Sequence, residues 1–96
     1  MAKTGESQIC IVTVTGADKV GIIAELAAIM AKADINIVDV NQRIMETYFV
    51  MTMAVDMAKA TIDMARLKRQ LDRSARKMEL TITIQHERIF EAIHRV

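Results

Sequence analysis

The apolar residues of this chain change spacing as it proceeds, and each change of period marks a new element. From Gln8 to Thr15 the run Ile-Cys-Ile-Val-Thr-Val-Thr is β-branched and of strand length. Gly16-Ala17-Asp18 interrupts it, and Asp18 is placed to cap a helix, since its carboxylate can accept the free amides of a first turn. Over Lys19 to Ala33 the period becomes helical. Ile22, Ile23, Leu26, Ala27, Ile29, Met30 and Ala33 share one stripe, with Gly21, Glu25, Ala28 and Lys32 opposite.

Asp34 closes that helix, and Ile35 to Glu46 alternates as a strand with Val38, Val40 and Ile44 on one face and Asp39, Asn41 and Arg43 on the other. Thr47 to Asp56 alternates too, with Phe49, Met51, Met53 and Val55 set against Tyr48, Val50, Thr52 and Ala54. A tight hairpin near Glu46 and Thr47 therefore joins the two strands. A second helix spans Thr61 to Met78, with Met64, Leu67, Leu71, Ala75 and Met78 as its apolar stripe and Arg66, Arg69, Arg73, Arg76 and Lys77 opposite. Glu79 to Gln85 is a last strand, and Ile89, Ile93 and Val96 have the spacing of a short terminal helix. Residues 1–7 read as a flexible tail before a single domain over 8–96.

The order strand, helix, strand, strand, helix, strand predicts an α+β fold, a ferredoxin-like βαββαβ sandwich. Its four-stranded antiparallel sheet would carry two helices on one face, with a short C-terminal helix added. Composition agrees with a folded domain: 52% of the 96 residues are hydrophobic and 26% charged. A net charge of +1 supplies no overall attraction toward nucleic acid or anionic lipid. With one cysteine, Cys10, there is no internal disulfide and no all-cysteine metal site. The polar start lacks the apolar segment of a signal peptide, and no run approaches the roughly 20 apolar residues of a membrane helix. A cytoplasmic location is expected.

This architecture hosts many chemistries, and the residues exclude several. Iron–sulfur ligation needs more thiolates than Cys10. A copper-carrying domain needs paired cysteines in the first loop, which Gly16 to Gly21 lacks. An acylphosphatase needs an arginine there, where Lys19 is the only base. An RNA-binding sheet needs stacking aromatics on its open face, and Thr13, Asp39, Asn41, Arg43, Thr81 and Thr83 leave Tyr48 as the one ring.

The segment Val12-Thr13-Val14-Thr15-Gly16-Ala17-Asp18-Lys19-Val20-Gly21-Ile22-Ile23, followed by Ala33-Asp34-Ile35-Asn36-Ile37, resembles the ACT domain, a regulatory module of amino-acid-metabolic enzymes. ACT domains carry an Asp or Asn three residues before a glycine in the first strand–helix turn, and often an Asn-Ile pair where the second strand begins. Asp18, Gly21 and Asn36-Ile37 match in kind and spacing, although Val20 stands where many ACT turns have proline. His86-Glu87-Arg88-Ile89-Phe90-Glu91-Ala92-Ile93-His94 resembles the ending of a family of free-standing ACT proteins related to the ACT halves of glycine-cleavage repressors.

The turn offers a helix N-terminus with unpaired amides and no side chain at Gly21, which suits the carboxylate of an amino acid. Asp18 and Asn36 could then take its ammonium group. Asp18, Lys19, Val20, Gly21, Ile22 and Asn36 form the expected ligand-binding set. The plainer alternative is that Asp18 only caps and Gly21 only permits close packing. The basic stripe on the second helix reads as a solvated face, with Asp72 able to pair with Arg76. His86 and His94 fit no closed zinc pattern, so no metal and no cofactor is expected. Cys10 reads as a buried strand residue.

No Ser–His–acid or Cys–His arrangement suggests catalysis. The chain is expected to be a regulatory domain binding an amino acid or similar small polar ligand where, as the resemblance implies, two subunits meet. The alternative is a dimeric interaction module that docks on a regulated protein partner without a small ligand. Two free sheet edges and the terminal apolar stripe favour a homodimer; neither membrane nor nucleic acid is an expected partner.

Overall fold

The computed structural model describes residues 6–94. Its elements are β1 (Ile9–Ala17), α1 (Ile22–Lys32), β2 (Asn36–Met45), β3 (Tyr48–Asp56), α2 (Met64–Met78), β4 (Leu80–His86) and α3 (Glu87–His94). Of the expected tail, residues 1–5 lie outside the described residues, as do the last two positions of the expected terminal helix. The strands form one antiparallel sheet in the order β2-β3-β1-β4, the ferredoxin-like arrangement.

β1 is central and pairs on both sides, Val12 lying between Met53 and Ile84 and Val14 between Met51 and Ile82. These residues occupy one side of the sheet, and all are buried. Ile22, Leu26 and Met30 of α1 and Leu67 and Leu71 of α2 cover them. Each such side chain contributes roughly 1.5–3 kcal/mol by leaving water. The opposite face carries Thr13, Thr52 and Thr83 in register, together with Asn41 and Arg43, as the alternation predicts.

Four local features depart from the sequence expectation. α1 begins at Ile22 instead of Lys19, and its N-cap is Gly21, with no side-chain cap; Asp18 therefore does not cap it. The chain needs three more residues to turn from β1 into the helix, so Asp18 stays outside and donates its backbone amide to the Thr47 carbonyl (2.9 Å). α2 likewise begins at Met64, where Asp63 Oδ1 accepts from Arg66 N at 2.8 Å and supplies a true cap.

In β2 a bulge falls between Ile37 and Asp39. Val38 is the extra residue, so Ile37, opposite Val55, joins the core-facing row while Val38 is turned out. The pairing of Asp72 with Arg76 is also absent. The ion pair found among the described residues instead joins Lys77 to Glu25.

The β2–β3 hairpin turns at Glu46 and Thr47 as expected, with Glu46 at φ 60°. Gly16 of β1 has φ 153°, and a Cβ there would stand 2.7 Å from Leu80 Cδ2. A glycine lets β1 and β4 close over the Leu80 side chain at that point.

The candidate ligand-binding turn

The turn lies at the end of the sheet where Ala17 pairs with Tyr48 and Gly16 with Leu80. Gly21 has φ 94° and ψ 3°, a left-handed conformation that side-chain-bearing residues adopt at a cost. A Cβ at Gly21 would meet no atom within 4 Å. The close-packing explanation of this glycine therefore does not hold. It is explained by backbone conformation, and the space in front of it is open.

The first amide bonded inside α1 is that of Glu25, which donates to the Gly21 carbonyl at 2.9 Å. The three preceding helical amides, at Ile22, Ile23 and Ala24, are the orphan donors of the N-terminus, and no capping side chain reaches them. An uncapped helix start beside a left-handed glycine presents backbone donors and a partial positive charge to an incoming anion.

The remaining expected residues divide by position. Ile22 is buried, so its side chain anchors α1 in the core and only its amide can face a ligand. Val20 is fully exposed at the rim. Lys19 Nζ donates to the Met78 carbonyl, tying the turn to the C-terminus of α2, where a cation is favourable. Asp18 is exposed at the mouth.

Asn36 is elsewhere in the fold. It pairs with Asp56, which also faces Ile9, at the far end of the sheet. The length of β1 puts that end roughly 25 Å from the turn. Within one chain, Asn36 and Gly21 do not share a pocket. An 11-residue helix separates the two positions in sequence and runs the length of the domain before β2 starts.

Sequence reasoning missed a second polar cluster, between the helices. Ser74, buried on α2, donates from Oγ to Glu25 Oε2 at 2.7 Å, and Lys77 Nζ lies 3.0 Å from Glu25 Oε1. These donors hold the Glu25 carboxyl below the usual glutamate range, the Ser74 bond contributing most. The cluster borders a groove of about 430 Å³ that Lys32 and Arg73 also line. The only sequence signal for it was a serine on the margin of an apolar stripe. Cys10 is buried as expected; burial first, then the charges of Asp56 and Glu87, pushes its thiol up. Among the described residues no cluster of His, Cys, Asp and Glu has the arrangement of a metal site, and no helix is long and apolar enough to cross a membrane.

The sheet order, the two covering helices and the glycine turn define a ferredoxin-like domain of ACT architecture. Comparison with known proteins makes the assignment specific. An ACT-domain family model matches residues 8–85, and the chain belongs to that family. A UPF0237 protein of Clostridium acetobutylicum is 43% identical over 86 residues, covering 90% of this chain and 97% of the relative. Among solved structures, an ACT domain protein from Streptococcus pneumoniae superposes with a TM-score of 0.75 at 30% identity, over 90% of this chain and 97% of that one. A putative glycine cleavage system transcriptional repressor shares the fold, with a TM-score of 0.69 at 20% identity, over 82% of this chain and 45% of that one.

Proposed function

We propose that this ACT domain is a regulatory module, not a catalyst, and that it binds a free amino acid or similar small polar carboxylate at the Gly21 turn. The observation that carries this reading is the uncapped start of α1, with open space in front of Gly21. The ligand carboxylate sits on the amides of the first turn, and Asp18 takes the ammonium group.

The site is completed by a second copy of the chain. β2 is an edge strand, and its core-side residues Val40 and Ile44 remain 40% and 55% exposed. A free edge beside two bare aliphatic side chains, with Gln42 between them, is a surface that self-association covers. Antiparallel pairing of β2 with its copy about the strand midpoint sets Asn36 of the partner subunit opposite Met45. Met45 pairs with Tyr48, at the same end of the sheet as Gly21. A two-fold dimer of this kind reconciles Asn36 with the turn that its own chain keeps it from.

Calorimetric titration of the free amino acids against the wild type, Gly21→Leu and Asn36→Ala tests the reading. Binding that Gly21→Leu abolishes and Asn36→Ala weakens is the expected result. A ligand whose affinity ignores both variants overturns the site. Absence of any amino-acid ligand, with the dimer intact, replaces it with the interaction module that docks on a protein partner.

A further inference from the structure

The end of the sheet opposite Gly21 holds a second cavity, of about 740 Å³. That volume falls in the range of small-molecule sites. It opens between the start of β1, the connection from β3 to α2, and the junction of β4 with α3. Cys10, Met57, Ile62 and Met64 supply apolar wall. The raised thiol of Cys10 keeps that wall uncharged, and the two thioethers can adapt to the shape of a hydrocarbon.

The polar part of the lining is chemically selective. Cys10 and His86 are direct cross-strand partners, which sets the imidazole beside the apolar wall. Arg88 N donates to His86 Nδ1 at 3.2 Å. In a neutral imidazole that bond leaves the proton on Nε2, so the free nitrogen of His86 is a donor. Among the described residues the Arg88 guanidinium pairs with no carboxylate. The acidic residue of the lining, Asp63, is engaged in capping α2. The lining thus joins two donors, one of them cationic, and the amide of Gln8 to an aliphatic and thioether wall. Its one carboxylate, Asp63, already has a partner, as has Asp56 just outside it, which accepts from the Gln8 and Ala58 amides; the charges of Asp56 and Glu87 reach Cys10.

We propose that this cavity binds a small aliphatic monocarboxylate, its carboxylate held by Arg88 and His86 Nε2 and its hydrocarbon tail lying against Met57, Ile62 and Met64. A planar guanidinium suits a carboxylate in bidentate geometry. This site is separate from the Gly21 turn and does not depend on the function proposed for that turn.

The test uses the full chain labelled with carbon-13 at the methionine methyl groups, with Met57 and Met64 assigned through Met57→Leu and Met64→Leu. The probe is 4-methylvalerate, with two comparison molecules: its uncharged amide, and L-leucine, which adds an ammonium group. Saturable movement of both methyl signals by 4-methylvalerate is expected, and the amide should bind at least about tenfold more weakly. Arg88→Gln, at an exposed position, should lose about tenfold in affinity for the acid. Gly21→Leu should leave the titration unchanged, which separates this cavity from the turn. The proposal is overturned if neither methyl moves up to about 10 mM probe, if Arg88→Gln binds as well as wild type, or if L-leucine binds as tightly as 4-methylvalerate. The last outcome would mean that an ammonium group finds an acceptor the proposal denies it.

Discussion

Ser74 on α2 and Glu25 on α1 meet at 2.7 Å, hydroxyl to carboxylate, and join two helices that have 31 residues of chain between them. Lys77, one turn further along α2, takes the other oxygen of Glu25. This is the polar link between the helices, and it sits on the border of a groove where water has access. Replacing Ser74 by Ala should therefore destabilise the domain by about 1 kcal/mol, the net worth of one hydrogen bond to a charged but partly solvated group. Urea unfolding at pH 7 measures it.

The same link makes stability depend on acid. Ser74 and Lys77 depress the Glu25 carboxyl, and the backbone amides of Gln8 and Ala58 depress Asp56. A group whose folded-state value lies below its unfolded value stabilises fully above the unfolded value, and that contribution is lost as pH falls through the folded one. Stability should accordingly be level from neutral pH down to roughly 5, then decline below roughly pH 4. Ser74→Ala should flatten the part of the decline that belongs to Glu25. Urea midpoints at successive pH values check both statements.

The two aspartates at the helix starts should behave differently. Asp63→Ala removes a formed cap and should cost about 1 kcal/mol. Asp18→Ala removes a side chain that caps nothing and should leave stability within roughly 0.5 kcal/mol of wild type. Chemical denaturation of the two variants side by side decides the point, and equal losses would mean that Asp18 caps α1 after all.

Gly16→Ala places a methyl against Leu80 Cδ2 on a backbone with φ 153°. The leucine can yield only by shifting within the core it helps to close. A destabilisation of about 1–3 kcal/mol is expected, read from the thermal midpoint. Gly21→Ala, with open space around it, should cost less, since only the backbone conformation opposes it.

The dimer proposed through β2 rests on Val40 and Ile44, which are bare in the isolated subunit. Ile44→Lys charges that surface at a position already 55% exposed, so the subunit itself should fold normally. Light scattering should report a dimer for the wild type and a monomer for Ile44→Lys at tens of micromolar, a concentration chosen for roughly micromolar association. A dimer that survives the substitution would place the interface elsewhere.

Much of the fold was legible because burial imposes a period. Phe49, Met51, Met53 and Val55 alternate along β3 and Leu67 and Leu71 recur along α2 because each row faces the same core. The hairpin at Glu46 and Thr47 was legible for the same reason, as the narrow gap between two alternating runs. Val38 was misplaced because one inserted residue reverses a two-residue period without changing composition. Asp18 was misread because a capping residue and a loop residue look alike until the helix start is known.

By itself, then, the chain determined its elements, the side of each that is buried, and the glycine on which the first turn depends. These are local consequences of side-chain size and polarity repeating along a backbone. Only the tertiary structure decided which distant positions meet. It separated Asn36 from Gly21 by the length of the sheet, brought Ser74 to Glu25, and set His86 beside Cys10 around a cavity. Such meetings depend on register and on the direction of each return, and those arise when the whole core closes at once and leave no period in the sequence.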